Sequence, residues 1–155
     1  MTRWFAKYKI PDYEVFFENE MIYAMVNTKP VVPGHVLIVP QRTVQRFYDL
    51  TNDEMTEMMS SAKKIGKVVE DLFKATALTF VIQDGKDAGQ SVEHVHLHIL
   101  PRRPGDFEKN DDVYDILEGK PNSTKIDLDN MPPRTEKELS DESELIRNAL
   151  TKWKD

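Results

Sequence analysis

The sequence predicts an α+β domain in which a mainly antiparallel sheet of five strands carries one long helix, with a further helix at the C-terminus. Five short apolar runs separated by Pro, Gly, Asn and Asp are typical of strands. A capping box at Thr51–Glu54 precedes apolar residues in steps of three and four, which indicates a long helix packed along one face. A second capping box at Thr135–Glu138 opens a helix that extends to about Trp153.

The composition limits the function classes. A chain of 155 residues is expected to form one domain with its own core. A net charge of −6 argues against non-specific nucleic-acid binding, which needs an excess of Lys and Arg. The absence of Cys excludes disulfides and thiolate catalysis and fits a cytoplasmic, or also nuclear, location. Neither a signal peptide nor an apolar run long enough to span a membrane is present, so no membrane association is expected.

The elements divide the chain into three segments. The predicted strands cover residues 14–17, 21–26, 35–39, 78–82 and 94–101, and the third is apolar enough to be central. Residues 1–109 are expected to form the main domain. Residues 110–134 are polar and contain Pro, so we expect a mobile loop with a short helix at 111–118. Residues 135–155 form the C-terminal helix, which docks on the same domain.

Three of the four histidines lie at alternate positions, as His94, His96 and His98. Alternate side chains of a strand point to the same side, so three imidazoles are expected in a row on an exposed face. The apolar residues between them would face the core. Such a row suits a transition-metal site or phosphate chemistry, and the plainest alternative is an exposed polar strand.

The residues before the histidines favour phosphate over metal. Glycine at the start of Gly89–Val92 lets consecutive backbone N–H groups approach an anion, and Ser91 adds a hydroxyl donor. Gln83, just past the neighbouring strand, can donate an amide hydrogen into the same space. Glu93 would point away from the His94 face, so it is a poor fourth metal ligand.

These motifs resemble a known family. Residues 90–98 read Gln-Ser-Val-Glu-His-Val-His-Leu-His and resemble the histidine triad motif, in which apolar residues alternate with three histidines and two more follow. Residues 27–37, 78–80, 83–85, 101–107 and 110–114 resemble the Fhit branch of that superfamily. The resemblance covers roughly residues 1–118 and implies the HIT-like fold, whereas the C-terminal helix is similar in kind only.

The resemblance implies a hydrolase that cleaves dinucleoside polyphosphates, preferentially diadenosine triphosphate to AMP and ADP, through a covalent nucleotidyl-histidine intermediate. His96 is the implied nucleophile, and His98 would meet the α-phosphate. His94 and His35 would support the set from behind. The substrate phosphates would be held by Gln83, Gly89, Gln90, Ser91 and Val92.

The resemblance also implies a nucleoside site. Asn27 matches a ribose-contacting position, and Phe5, Met25 and Leu37 match an adenine slot, although their spacing alone would place them in a core. Tyr8 stands where the branch has histidine, at a position expected to meet the second nucleoside.

The resemblance also bears on partners and modification. It implies a homodimer, a phosphorylated tyrosine matched by Tyr114, and a divalent cation, Mg²⁺ or Mn²⁺, carried by the polyphosphate without dedicated protein ligands. Three alternatives stay open: hydrolysis of AMP-amine phosphoramidates as in the sister branch, a nucleotide-sensing module with slow turnover, and a zinc protein using the three aligned histidines.

Overall fold

The computed structural model describes residues 2–154, which form seven strands, three α-helices and three short 3₁₀ turns. The strands are β1 (Arg3–Phe5), β2 (Tyr8–Ile10), β3 (Val15–Glu18), β4 (Ile22–Val26), β5 (Val36–Pro40), β6 (Ala77–Val81) and β7 (Leu97–Arg102). The helices are α1 (Asn52–Leu72), α2 (Asp112–Leu117) and α3 (Glu136–Thr151). The 3₁₀ turns cover Asp12–Glu14, Phe47–Asp49 and Lys86–Ala88.

The main sheet has five antiparallel strands in the order β3-β4-β5-β7-β6, which confirms the predicted α+β class. The apolar strand β5 is central, as predicted, and every residue in it is buried. Strands β1 and β2 form a separate hairpin that the sequence did not predict. Each has only three residues, which is too short for a period-two pattern to be recognised.

One face of the sheet packs against α1 and α3. The capping box at the start of α1 is confirmed, because Thr51 and Glu54 exchange hydrogen bonds between side chains and backbone N–H groups. Gly66 explains how closely this helix approaches the sheet, since a Cβ there would lie 3.1 Å from side-chain atoms of both Leu78 and Phe80. The core on this face includes Ile22, Ala24, Val26, Val36, Ile38, Met58, Ile65, Val69, Leu97, Ile99, Leu139 and Ile146.

The opposite face of the sheet carries a smaller apolar cluster made by Phe5, Val15, Tyr23, Met25, Leu37 and Val39. Side chains that alternate along β4 and β5 point to opposite faces, so Met25 and Leu37 lie here while their neighbours face the helices. The β1–β2 hairpin covers part of this cluster. The hairpin is fixed to β3 by Arg3, whose guanidinium donates to Glu18 at 2.6 Å and also pairs with Asp12.

The segment that the sequence predicts to be a mobile loop contains an organising carboxylate. Asp112, at the start of α2, is buried and accepts hydrogen bonds from the hydroxyls of Ser123 and Thr124, at 2.6 and 2.7 Å. Backbone N–H groups of Lys109 and Ser123 donate to the same carboxylate. These donors hold the pKa of Asp112 well below its usual range. Mobility of residues 110–134 stays a prediction, but the segment has a defined internal scaffold.

In the described part of the chain, no helix is long and apolar enough to cross a membrane.

Replacing Asp112 with Ala should release residues 119–131, because four donors lose their acceptor. We expect faster hydrogen exchange and faster proteolytic cleavage in that range, with exchange in α1 unchanged. The matched control is Asp111→Ala, which removes an exposed carboxylate one residue away. Equal protection of residues 119–131 in the two variants would show that Asp112 does not organise the segment.

Candidate active site

The structure corrects the prediction that residues 94–101 form one strand. Strand β7 begins at Leu97, so only His98 of the three histidines lies in the sheet, beside Leu37 of β5 and Val81 of β6. Before β7 the backbone N–H of Val95 donates to Val44 O at 2.9 Å, outside the paired strands.

The predicted exposure of the three rings is wrong as well. His94, His96 and His98 are 0%, 6% and 8% exposed. The rings of His96 and His98 nevertheless lie side by side, with their centroids 4.9 Å apart. The ring of Phe5 contacts those of His94 and His96, at centroid distances of 5.7 and 4.9 Å. Because each imidazole is buried and has fixed neighbours, each ring is held in one protonation state.

Both ring nitrogens of His94 are occupied by the backbone. The N–H of Ala6, in the β1–β2 turn, donates to Nδ1 at 2.9 Å. Nε2 therefore carries the hydrogen and donates to Pro40 O at 2.9 Å. His94 thus joins the hairpin to the end of β5 and has no lone pair left for a metal or a substrate.

His96 is held so that one nitrogen stays free. Its Nδ1–H donates to the carbonyl oxygen of His94 at 2.8 Å, which leaves the lone pair on Nε2. Burial lowers the pKa of His96 below its ordinary value, so the ring is neutral at pH 7. A neutral imidazole with a free Nε2 is a nucleophile or a base.

His98 receives the complementary arrangement from His35. The N–H of Val31 donates to Nδ1 of His35 at 3.0 Å, so the hydrogen of that ring is on Nε2. This Nε2–H donates to Nδ1 of His98 at 2.9 Å, which puts the His98 hydrogen on its own Nε2. That atom is buried and has no hydrogen-bond partner among residues 2–154. His98 therefore presents a buried N–H donor beside the lone pair of His96.

Burial also keeps these two rings neutral. Desolvation lowers the pKa of His35 to about 3, with nearby His96 and Arg134 contributing repulsion. Desolvation lowers the pKa of His98 well below its ordinary value, with repulsion from His35 and His96 as the lesser cause. Neutral rings preserve the direction of the hydrogen-bond chain from Val31 to His98.

The loop before the histidines is shaped by Gln90. Its Oε1 accepts from the N–H of Gly85 at 2.8 Å, and its Nε2 donates to the carbonyls of Gln45 and Val92. The Gln90 side chain is thus engaged within the loop, so a contact from this residue to a ligand would come from its backbone. Ser91 is exposed, and Val92 is half-buried.

Gly89 brings Gln83 against this loop. Its φ of 92° is left-handed, and a Cβ there would lie 2.7 Å from Nε2 of Gln83. Glycine at this position therefore allows the amide of Gln83 to lie against residues 89–92, which we call the donor loop. Phosphate binding by these residues stays a prediction. The sequence missed the 3₁₀ turn at Lys86–Ala88 that sets up the bend, since three residues give no periodic signal.

The residues predicted to bind the nucleosides line one cavity of 660 Å³. Its lining includes Phe5, Met25, Leu37, Asn27, Tyr8 and Val92. Tyr8 and Val92 also line a neighbouring cavity of 650 Å³, together with Lys7, Thr43 and Ser91. The structure thus places the apolar slot next to the donor loop.

Asn27 is fixed from several sides. Its Oδ1 accepts from the N–H of Lys29 at 3.0 Å, and its Nδ2 lies 3.5 Å from Nε2 of His35. Its carbonyl accepts two hydrogen bonds from the guanidinium of Arg134, at 3.2 and 2.7 Å, and Arg134 also pairs with Glu142. The sequence missed Arg134, because nothing in its local pattern distinguishes it from an exposed arginine.

The geometry gives the zinc alternative no support. In the described part of the chain, no group of three or more His, Asp or Glu side chains is placed to hold a metal ion. His94 could become a ligand only by giving up a hydrogen bond to the backbone.

Comparison with known proteins identifies the family. Residues 9–105 match the HIT domain family. The chain belongs to the HIT domain family.

Its relatives place it in the Fhit branch. It is 48% identical over 149 residues to the Arabidopsis thaliana protein named bifunctional bis(5'-adenosyl)-triphosphatase/adenylylsulfatase FHIT, covering 94% of this chain and 83% of that protein. It is 45% identical over 146 residues to a bis(5'-adenosyl)-triphosphatase of Dictyostelium discoideum, covering 94% of this chain and 91% of the relative.

A solved structure supports the fold. The crystal structure of Plasmodium falciparum diadenosine triphosphate hydrolase matches with a TM-score of 0.77 and 28% identity, over 97% of this chain and 84% of that one.

The neutral histidines make the free energy of unfolding depend on pH. Their pKa values are lowered by folding, so below the ordinary histidine value of about 6.5 the unfolded chain binds more protons than the folded one. We expect the free energy of unfolding, measured with urea, to be constant at its highest value above that pH. It should fall steadily as the pH is lowered from 6.5 to 5. His35→Asn should flatten this fall. A stability that rises from pH 6.5 to 5, or the same slope in both proteins, would contradict the assignment.

Proposed function

We propose that this HIT domain protein hydrolyses dinucleoside triphosphates, preferring diadenosine triphosphate and releasing AMP and ADP through a nucleotidyl-histidine intermediate. The observation that carries the proposal is the pairing of a free lone pair on His96 with a free N–H on His98, in adjacent rings. The names of the relatives support the substrate class.

In the first step, the Nε2 lone pair of His96 attacks the α-phosphorus. The new P–N bond forms as the P–O bond to ADP breaks, and ADP leaves with the electron pair. The ring of His96 becomes cationic, and its Nδ1–H, already bonded to His94 O, stabilises that charge. The Nε2–H of His98 donates to a non-bridging oxygen, where negative charge increases.

In the second step, water attacks the same phosphorus. The new P–O bond forms as the P–N bond breaks, so the electron pair returns to Nε2 of His96 and the ring is neutral again. One proton of the water is released, and AMP leaves. One difficult attack by water is thereby replaced by two displacements, and each of them has a good leaving group.

Binding would use the groups around the rings. The cavity lined by Phe5, Met25 and Leu37 would hold the adenine, and Asn27 the ribose. The backbone donors of Gly89–Val92 and the amide of Gln83 would hold the phosphates. A divalent cation, Mg²⁺ or Mn²⁺, would neutralise charge on the polyphosphate. The donor set fits a cation held by substrate oxygens, because the described residues bring no carboxylate cluster into the site.

Replacing His96 with Gly should lower kcat for diadenosine triphosphate by about 10⁴-fold or more, with the Kd for substrate changed far less, because the nucleophile is removed and the binding groups remain. Radiolabelled substrate, quenched during turnover, should leave an acid-labile AMP adduct on the wild-type protein and none on the variant. Circular dichroism checks the fold of the variant. An adduct that persists in His96→Gly would place the nucleophile elsewhere.

The same assay separates the sister activity. We expect kcat/KM for diadenosine triphosphate to exceed that for an AMP-lysine phosphoramidate. The reverse order would assign the protein to the phosphoramidate hydrolases.

We also propose a homodimer formed through the β6 edge of the sheet. Strand β6 is apolar in sequence and lies at the end of the strand order, so among residues 2–154 no strand pairs with its outer side. Within this strand Phe80 is 47% exposed, and on α1, which packs against β6, Met59 is 39% exposed. A second copy placed edge to edge would continue the sheet and cover these side chains.

Phe80→Glu should convert the dimer into a monomer, because it introduces a charge into an apolar contact. Light scattering after size exclusion should give twice the 18.0 kDa chain mass for the wild type and the single mass for the variant. Leu145→Glu, at an equally exposed apolar residue on α3, is the matched control and should stay dimeric. A wild-type chain that is monomeric at micromolar concentration would refute the dimer.

A further inference from the structure

The end of helix α2 is fixed in position next to the donor loop. Gly119 follows the helix with a φ of 73° and donates to Ile116 O at 3.0 Å, and Lys120 donates to Asp115 O at 2.8 Å. These two bonds form a Schellman motif, which fixes the direction of the chain at a helix end. Val113 and Ile116 are fully buried and anchor the helix on the domain. The last residue before the glycine, Glu118, therefore has a defined place.

Glu118 lies against Gly89, the first residue of the donor loop. A Cβ on Gly89 would be 2.7 Å from Cγ of Glu118 and 3.5 Å from its carboxylate carbon. The same point lies 2.7 Å from Nε2 of Gln83. The side chains of Glu118 and Gln83 thus converge on Gly89 from α2 and from the end of β6. Glu118 is an anion, and the side-chain amide of Gln83 is the group proposed to contact the polyphosphate.

The carboxylate of Glu118 forms an ion pair with Lys120. Nζ of Lys120 lies 2.6 Å from Oε2 of Glu118, and this carboxylate raises the pKa of Lys120, so the ammonium is charged at pH 7. The Glu118 side chain is one-quarter exposed and that of Lys120 is well exposed. The contact of Glu118 with Gly89 is made through its methylene, so glutamine could keep the packing and remove only the charge.

We propose that Glu118 is a specificity-determining residue that disfavours leaving groups in proportion to their negative charge, and that Lys120 offsets this repulsion. The inference rests on the proposed function, in which the polyphosphate lies at Gln83 and Gly89. A fixed anion there repels a leaving group such as ATP more than ADP, and it repels least a leaving group without phosphate, such as p-nitrophenolate with its single charge. The short triphosphate bridge is thereby favoured over longer ones.

The test compares kcat/KM for three substrates: diadenosine tetraphosphate, diadenosine triphosphate and the p-nitrophenyl ester of AMP. Glu118→Gln should raise kcat/KM for the tetraphosphate relative to the ester by about 3- to 10-fold, with a smaller rise for the triphosphate. Lys120→Gln should shift the same ratio in the opposite direction, because it leaves the carboxylate unpaired. Both shifts should be smaller in 0.5 M salt, because dissolved ions screen the interaction between these charges and the leaving group.

Matched controls use an exposed ion pair on the opposite face of the sheet. Lys67 and Asp71 on α1 lie 3.1 Å apart and form an i,i+4 pair. Asp71→Asn and Lys67→Gln change the net charge as the test variants do and should leave the substrate ratios unchanged.

The outcomes separate the two proposals. Unchanged ratios in Glu118→Gln, or shifts of the same sign in Glu118→Gln and Lys120→Gln, would overturn the role of Glu118 while leaving hydrolysis intact. A wild-type protein that cleaves the ester but neither dinucleotide would overturn the proposed function, and the specificity inference with it.

Discussion

The site depends on backbone groups that fix the hydrogen of each imidazole. Main-chain N–H groups of Ala6 and Val31 each donate to a histidine Nδ1, and the carbonyl of His94 accepts from Nδ1–H of His96. From these three bonds the tautomers of all four rings follow, because His35 passes its orientation on to His98. The result is one free lone pair next to one free N–H. Burial keeps the rings neutral, which is the state that this arrangement requires.

Two elements outside the main sheet supply the backbone N–H groups that fix the histidines. The Ala6 donor belongs to a hairpin whose attachment depends on Arg3, which is buried and paired with two carboxylates. The Val31 donor belongs to the Pro- and Gly-containing connection between β4 and β5. Neither element is part of the main sheet, yet each holds a ring in place. Helix α1 and the large core stabilise the opposite face, so the site face is left to apolar side chains that form a slot.

The sequence predicted the parts of the molecule that have a period or a cap. The five strands, the helix after Thr51 and the C-terminal helix were found within one or two residues at most ends, since apolar spacing and capping side chains are local signals. The hairpin with Ala6 was missed because each of its strands has only three residues. The start of β7 at Leu97 was missed because the backbone contact before it, from Val95 to Val44, joins residues distant in the chain. Arg134 was missed for the same reason. The residues of the site came from the histidine spacing and the family resemblance, but the direction of each hydrogen bond needed the structure.

The position of hydrogen on each of the four imidazoles can be measured directly. Two-bond ¹H–¹⁵N correlation spectra of ¹⁵N-histidine-labelled protein at pH 7 report which nitrogen of each ring carries hydrogen. We expect four neutral rings, with His96 alone in the Nδ1–H form and His35, His94 and His98 in the Nε2–H form. An Nε2–H tautomer for His96, or a doubly protonated His98, would contradict this expectation, since the site would then lack the lone pair or hold a charge that the surrounding groups oppose.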